Sequence, residues 1–335
     1  MKAPGSKAFV LALGLLLVSA CGSPEATDSG TLTIAVIPKG TTHEFWKSIH
    51  AGAIKAQREL AAQGTVVELI WKGPLKEDDR EQQVQVVENF IGRQVDGIVL
   101  APLDADALVA PTEAAAQSGI PVVIIDSDLN SRQRVSFVAT DNYQGGVLAA
   151  ERLGALLGGT GKALMLRYQV GSASTEAREA GFTDTMTEQF PGIELISSEQ
   201  HAGATRETAY QASQNLLNRF GREVDGIFTP NESSSVGMLL ALRDIGRAGG
   251  DVKFVGFDAS TTLVEALQTQ DIQGLVVQNP MEMGYRGVLT LVEHLSRQAV
   301  PGRIDSGVAL VTPENMQAPD VQPLLHPPLA EYLDE

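Results

Sequence analysis

Two aspartates, Asp126 and Asp258, follow similar apolar stretches in the two halves of the sequence. Each comes at a similar distance after a nearly repeated phrase, which reads VDGIVLAP at Val95–Pro102 and VDGIFTP at Val224–Pro230. Such self-similarity indicates that one structural unit is used twice. A carboxylate accepts hydroxyl hydrogen bonds and discriminates strongly against ligands that lack them. We therefore expect both aspartates to bind a hydroxyl-bearing ligand, and the alternative is that each caps the next helix.

Phe45 and Trp46 are adjacent aromatic residues at the start of a predicted helix. Adjacent side chains on a helix cannot both point into the same core. A sugar has apolar C–H faces and a polar rim, so an aromatic ring beside hydrogen-bonding groups fits it. We expect at least one of the two rings to stack against the ligand, and the alternative is that both are hydrophobic staples.

Motifs of enzymes and metal sites are incomplete in this sequence. HEFWK at His43–Lys47 lacks the second histidine of a zinc-protease helix, and GGTGKA at Gly158–Ala163 lacks the spacing of a phosphate-binding loop. The five histidines are scattered, and the single cysteine is Cys21. We therefore expect a binding protein with no cofactor and no metal. A glycosidase that uses the two aspartates is the enzymatic alternative.

The segments that position these residues alternate between strand and helix patterns from Thr31 onward. Short apolar runs such as LTIAVIP at Leu32–Pro38 alternate with amphipathic stretches such as Glu44–Leu60, which is typical of a parallel sheet covered on both faces. The same order restarts at Lys162. The predicted fold is α/β, with two similar doubly wound parallel-sheet domains joined by a multi-strand hinge. Because ligands of such sheets bind beyond the carboxyl ends of the strands, we expect the site in the cleft between the domains.

The predicted hinge lies near Thr140–Asp141, Gln278–Asn279 and Val308–Val311. These crossings assign residues 31–140 plus 279–307 to an N-terminal ligand-binding lobe. Residues 141–278 plus 308–335 form a C-terminal lobe, and its Pro-rich tail is expected to run over the surface.

Residues 1–20 have the pattern of a secretion signal, with Lys2 and Lys7 before the apolar run Ala8–Val18. Cys21 ends the sequence VSAC, which resembles the lipobox of bacterial lipoproteins. We expect lipid on Cys21 and a flexible tether at residues 21–30, whereas a buried free thiol is the alternative. The protein would then lie in the cell envelope outside the cytoplasm, held to a membrane by its lipid anchor only.

The chain of 335 residues has a net charge of −16. Loss of Lys2 and Lys7 with the signal gives −18, since −16 − 2 = −18. Such a surface repels nucleic acid and acidic lipid headgroups, so neither is an expected partner.

Several phrases, taken together and in order, carry a family resemblance between Thr31 and about Thr312. They are HEFWKSIHAGA, DGIVLAP, IIDSD, ATDNYQGG, TPNESSSVGM, VGFDAS and LVVQNPMEMGYRGV. In these the chain resembles bacterial periplasmic sugar-binding proteins of the ribose/galactose type, which are type I periplasmic binding proteins and receptors of ABC importers. Lys39 in VIPKG and Asp128 in DSD are more similar to the rhamnose- and autoinducer-2-binding branch. The resemblance implies a monomer that closes over a monosaccharide or a similar polyhydroxylated ligand and docks on an ABC permease.

The resemblance also implies particular ligand contacts. Asn231 and Gln278 match amide contacts of the family, and an amide both donates and accepts hydrogen bonds. His43 stands where the ribose receptors have asparagine. Glu176 and Ser127 stand where they carry arginine, which argues against ribose as the ligand.

Three further charged residues are candidates for ligand contacts: Lys39, Asp128 and Arg178. A solvated loop charge or a core residue is the alternative for each. A second functional hypothesis is a sensory subunit that presents a sugar or an autoinducer-like signal to a membrane receptor. Neighbouring genes for an ATPase and a permease would separate transport from sensing.

Overall fold

The computed structural model describes residues 1–3, 5 and 30–333, and from Thr31 onward the chain forms one compact unit. The strands of this unit are β1 (Leu32–Ile37), β2 (Val67–Trp71), β3 (Gly97–Leu100), β4 (Val122–Ile125), β5 (Ser136–Ala139), β6 (Gly161–Met165), β7 (Ile193–Ser197), β8 (Gly226–Phe228), β9 (Lys253–Phe257), β10 (Gly274–Gln278), β11 (Arg303–Asp305) and β12 (Val308–Val311). The helices are α1 (Glu44–Ala62), α2 (Arg80–Gly92), α3 (Val109–Gln117), α4 (Asn142–Leu156), α5 (Ala173–Gln189), α6 (Arg206–Phe220), α7 (Glu232–Asp244), α8 (Thr261–Gln268), α9 (Pro280–Leu295) and α10 (Gln322–Leu325), followed by a 3-10 turn at Leu329–Glu331.

The strands form two six-stranded sheets with the same order. The first sheet runs β11-β5-β4-β3-β1-β2, and the second runs β12-β10-β9-β8-β6-β7. Neighbouring strands are parallel except β10 and β12, which pair antiparallel at one edge. Strands β3 and β8, which carry the repeated phrase, hold equivalent positions. The predicted fold class is confirmed, and each sheet with its covering helices is called the first or the second lobe.

Each sheet is buried on both faces because its strands are continuous apolar runs. In β1, Ile34 and Val36 pack into one hydrophobic cluster, whereas Ala35 and Ile37 pack into a second cluster. The strands of the second sheet divide their side chains between two clusters in the same way. Helices on both faces therefore leave the ends of the strands as the places where loops can form a site.

Two helix pairs pack with their backbones almost in contact. A Cβ atom on Gly52 of α1 would lie 1.9 Å from the carbonyl oxygen of Met281 in α9. One on Gly146 of α4 would lie 2.0 Å from the carbonyl oxygen of Arg178 in α5. Glycine is required at both positions because any side chain would push the helices apart. The glycines of the phrases HAGA and YQGG thus set the position of helices that reach the cleft.

The described chain crosses between the sheets at three places before its last segment. It passes through Thr140–Asp141 after β5, through Asn279 after β10 and through residues 306–307 after β11. Asp141 and Asn279 each cap the helix that follows. Thr140 Oγ1 donates to the carbonyl oxygen of Gly307 at 3.0 Å, so two of the crossings lie side by side.

The last described segment contacts both lobes. Val321 and Leu325 pack into a core cluster of the second lobe. Arg58 of α1, in the first lobe, donates to the carbonyl oxygen of Glu331 at 2.6 Å and lies over the Tyr332 ring. We call residues 321–333 the C-terminal strap, because they connect the lobes outside the three crossings.

Candidate functional site

A small cavity lies where the carboxyl ends of the two sheets face each other. Loops after β1, β2 and β4 form one wall, and loops of the second lobe together with α5 form the other. Nine of the eleven predicted ligand residues line it: Lys39, His43, Phe45, Trp46, Asp126, Arg178, Asn231, Asp258 and Gln278. Five lining residues were not predicted: Glu77, Tyr168, Ser174, Thr175 and Glu232.

Asp126 and Asp258 enter the cavity from opposite lobes, after the equivalent strands β4 and β9. Both adopt the left-handed backbone conformation, with φ of 63° and 69°. Residues other than glycine rarely adopt it, and such strain collects at functional sites. Ser260 holds the N-cap position of α8, without a capping hydrogen bond from its side chain, so Asp258 does not cap the helix that follows it.

The partners of the two aspartates differ. Lys39 Nζ lies 2.8 Å from Asp126 Oδ2. Asp258 accepts from Gln278 Nε2 at 2.6 Å and from the backbone N–H of Glu232 at 3.0 Å. Burial raises the pKa of Asp258 to about 6, although the charge of Arg178 and the hydrogen bond from Gln278 both lower it. Asp258 therefore keeps its charge at neutral pH only against an unfavourable environment.

Arg178 reaches the cavity from α5 and is almost fully buried. Its Nε donates to Asn142 Oδ1 at 2.8 Å, its Nη1 donates to the carbonyl oxygen of Pro230 at 2.9 Å, and its guanidinium lies 4.0 Å from the Phe257 ring centroid. Burial lowers the pKa of Arg178, and the charge of Asp258 opposes this effect. An arginine thus lies in the cavity two residues after Glu176, the residue that stands where the ribose receptors carry arginine.

Glu77 is the centre of a buried network that joins the lobes. Its carboxylate lies 2.7 Å from His43 Nδ1 and accepts from Trp46 Nε1 at 2.7 Å and from the hydroxyl of Tyr168, in the second lobe, at 2.6 Å. Burial would raise the pKa of Glu77, but the hydrogen bond and charge of His43 lower it to about 2. Burial alone would lower the pKa of His43. The hydrogen bond and charge of Glu77 outweigh this effect, so the pKa of His43 is raised. Each partner therefore favours the charged form of the other.

The two aromatic side chains serve the core and the cavity together. Phe45 and Trp46 meet edge to face, with ring centroids 5.1 Å apart. Both line the cavity and both belong to a hydrophobic cluster of the first lobe. The alternatives of ligand contact and hydrophobic staple therefore do not exclude each other here.

Asn231 and Glu232 bring the start of α7 to the cavity. Asn231 caps the helix, since its Oδ1 accepts from the backbone N–H of Ser234 at 3.3 Å. Glu232 is held by Arg206, which donates to its Oε1. Glu232 Oε2 and Gln278 Oε1 are buried acceptors without a hydrogen-bond partner among the described residues. Buried polar groups are nearly always paired, so these two oxygens point to hydrogen-bond donors on a ligand.

The charges around the cavity compensate each other. Three carboxylates pair with cations: Asp126 with Lys39, Glu77 with His43 and Glu232 with Arg206. The charge of Arg178 attracts the fourth carboxylate, Asp258. Four negative groups thus face four positive groups when His43 is protonated. A charged ligand would leave one buried charge uncompensated, which is costly.

Two predicted ligand residues do not line the cavity. Asp128 forms an ion pair with Arg134 and faces a different groove. Glu176 accepts from the backbone N–H of Gly171 at 2.8 Å, outside the cavity. The second tryptophan of the chain, Trp71, lies outside the cavity and is stacked on His50 with ring centroids 4.4 Å apart. Cys21, the predicted lipidation site, lies outside the described residues.

The two lobes contact each other beside the cavity. Lys39 Nζ donates to Ser174 Oγ at 3.2 Å, and Glu44 accepts from the backbone N–H of Thr261 at 3.1 Å. Among the described residues, no group of acidic, histidine or cysteine side chains forms a metal site. No helix in that part of the chain is long and apolar enough to cross a membrane.

Comparison with known proteins gives several relatives that extend along most of the chain. The xylitol-binding protein of Mycolicibacterium smegmatis is 28% identical over 276 residues, 82% of this chain and 75% of that protein. An ABC transporter solute-binding protein from Agrobacterium vitis, solved with bound D-fucose, is 34% identical with a TM-score of 0.83, covering 88% of this chain and 100% of that one. A carbohydrate transporter solute-binding protein from Agrobacterium radiobacter, solved with D-arabinose, is 31% identical with a TM-score of 0.82, covering 88% and 99%.

These relatives are solute-binding proteins and not enzymes, which confirms the expectation of a non-enzymatic protein. The family of the periplasmic binding protein domain matches residues 34–299. This match includes most of β1, all of β2 to β10 and every residue that lines the cavity. The chain therefore belongs to the periplasmic binding protein family.

Proposed function

We propose that this protein is a lipid-anchored receptor that binds an uncharged monosaccharide or similar polyol and delivers it to an ABC permease. The observation that carries the proposal is the buried polar cavity, which combines balanced charges, an aromatic wall and two unpaired acceptors. One relative is named for binding xylitol, and two were solved with bound D-fucose or D-arabinose. All three compounds are uncharged and polyhydroxylated. A sugar acid or an amino sugar would disturb the charge balance.

The size of the cavity supports ligand binding by domain closure. Its volume is about 30 Å³, room for roughly two water molecules. A sugar ring with its hydroxyl groups needs more space than this. The lobes therefore have to separate to admit a ligand, and the three crossings at Thr140–Asp141, Asn279 and residues 306–307 are the natural hinge. On this proposal the lobes are residues 31–140 plus 279–307 and residues 141–278 plus 308–335.

The anchor is proposed from the amino-terminal sequence alone. Residues 1–20 are the signal, Cys21 carries the lipid, and residues 21–30 tether the folded unit to the membrane. The receptor then works as a monomer in the cell envelope, where it meets the permease.

Calorimetry with a panel of matched sugars tests the proposal. We expect at least one of D-arabinose, D-fucose and xylitol to bind, and D-galacturonate and D-galactosamine to bind at least tenfold more weakly. Small-angle scattering should show a smaller radius of gyration with the bound sugar, because closure compacts the molecule. Absence of binding by all three uncharged compounds, or equal binding of the charged ones, would contradict the proposal.

A further inference from the structure

We infer that Glu232 binds a hydroxyl group of the ligand directly and determines which polyols the protein accepts. The inference rests on the proposed function and adds a contact that neither the repeat nor the family resemblance supplied. The ligand that Glu232 would bind is a polyol with a free hydroxyl group at the end of the cavity where α7 begins.

The geometry separates the two oxygens of Glu232. The residue is the first of α7, and its side chain is only 2% exposed. Arg206, which does not line the cavity, donates to Oε1, whereas Oε2 has no hydrogen-bond partner among the described residues. His43 Nδ1 lies 3.9 Å from Oε2, beyond hydrogen-bonding distance, and it is already paired with Glu77 at 2.7 Å. Oε2 is thus a buried acceptor without a hydrogen-bond donor in the described part of the chain, on a side chain that lines the cavity.

A second orphan acceptor makes the same demand on the ligand. Gln278 Oε1 is also buried and has no hydrogen-bond partner among the described residues. Only the other end of the amide is paired, because Gln278 Nε2 donates to Asp258. An acceptor-rich site of this kind requires ligand donors. A site that hydrogen-bonds a hydroxyl group rejects an analogue without it far more strongly than an apolar pocket rejects a change of size. We therefore expect discrimination against deoxy and O-methyl analogues at the hydroxyl that faces Glu232.

The competing explanation is that Glu232 only anchors Arg206. The second lobe offers a matched example of such a role in Glu179, which is equally buried and also holds an arginine. Glu179 accepts from Arg167 Nε at 2.7 Å and from the backbone N–H of Tyr168 at 2.9 Å. Both of its oxygens are therefore satisfied within the protein. Glu179 does not line the cavity, so it provides a control for the loss of a buried arginine–glutamate pair.

The experiment compares Glu232→Gln with Glu179→Gln in the full-length chain. In Glu232→Gln the amide oxygen remains with Arg206, and the NH₂ group replaces the acceptor Oε2. Loss of a hydrogen bond to a charged group predicts a Kd that is roughly 10- to 150-fold weaker for the tightest binder among D-arabinose, D-fucose and xylitol. Glu179→Gln should change that Kd less than twofold, even where it lowers the melting temperature.

Mono-deoxy analogues of the same sugar identify the hydroxyl group. One analogue should bind wild type much more weakly than the parent sugar, and Glu232→Ala should bind that analogue and the parent alike, because the partner is already lost. An unchanged Kd in Glu232→Gln, or a loss equal to that in Glu179→Gln, would overturn the inference while leaving the proposed function intact. Failure of wild type to bind any of the three compounds would overturn the proposed function and this inference with it.

Discussion

Replacement of Asp258 by asparagine should stabilise the fold at alkaline pH while it weakens ligand binding. Burial raises the pKa of Asp258 from 3.8 to about 6, which corresponds to about 3 kcal/mol of lost stability at pH 8. The native state holds the proton more tightly than the unfolded state. The contribution of Asp258 to stability is therefore greatest below pH 3.8 and is lost as the pH rises through about 6. The loss at pH 4 is below about 1 kcal/mol.

The asparagine variant removes this charge but loses one interaction. Asp258 has a φ of 69°, and asparagine tolerates the left-handed conformation about as well as aspartate. An amide cannot accept from both Gln278 and the Glu232 backbone as the carboxylate does, and this loss costs about 1.5 kcal/mol. The expected net change in the free energy of unfolding is a gain of about 1 to 2 kcal/mol at pH 8 and a loss of about 1 kcal/mol at pH 4.

Urea denaturation at both pH values measures these changes, and calorimetry with the best-binding sugar measures the affinity. The matched control is Asp126→Asn at the equivalent position of the first lobe. It leaves Lys39 buried without its partner at 2.8 Å, so it should destabilise the protein at both pH values. A destabilised Asp258→Asn at pH 8, or a difference from wild type that does not change with pH, would refute the reasoning.

Three further predictions concern single side chains. Trp46→Phe should abolish most of the ligand-induced change in tryptophan emission, because Trp46 lines the cavity, whereas Trp71→Phe should retain it. The raised pKa of His43 means that its ion pair with Glu77 adds stability below pH 6.5 and loses it as the pH rises through the native pKa. His43→Gln should therefore flatten the fall in melting temperature above pH 6.5. Cys21→Ser should abolish labelling of the protein by a fatty acid in cells.

Each of the three has an outcome that contradicts it. An emission change that persists in Trp46→Phe would mean that the ligand lies away from this ring. A melting temperature with the same pH profile in His43→Gln and wild type would mean that another group titrates. Label retained by Cys21→Ser would place the lipid on another residue.

The repeat made the two lobes and their aspartates predictable, because equivalent strands end at equivalent places. Helix geometry explains the contrast between Arg178 and Glu176. Ser174 and Arg178 are one turn apart on α5 and share the face that lines the cavity, whereas a residue two positions away lies on another face. An alignment that is out of register by two residues at this helix therefore exchanges the cavity residue Arg178 for the solvent-exposed Glu176.

Glu77 could not be singled out from the sequence. It lies among several acidic residues in the loop between β2 and α2, and nothing in that loop distinguishes it. Its role depends on His43 and Trp46 from α1 and its preceding loop, and on Tyr168 from the other lobe. Such a contact depends on how the lobes meet, which periodicity and motifs do not encode.

The C-terminal strap bears on how ligand affinity is set. If the lobes separate to admit a ligand, the bonds from Arg58 to Glu331 and Tyr332 bias the unliganded protein toward closure. Apparent affinity depends on the fraction of molecules in the binding-competent arrangement as well as on the contacts made there. Changes at the strap, far from the cavity, can therefore alter the dissociation constant without altering a ligand contact. A protein connected in this way balances tight binding against a larger fraction of closed molecules without ligand.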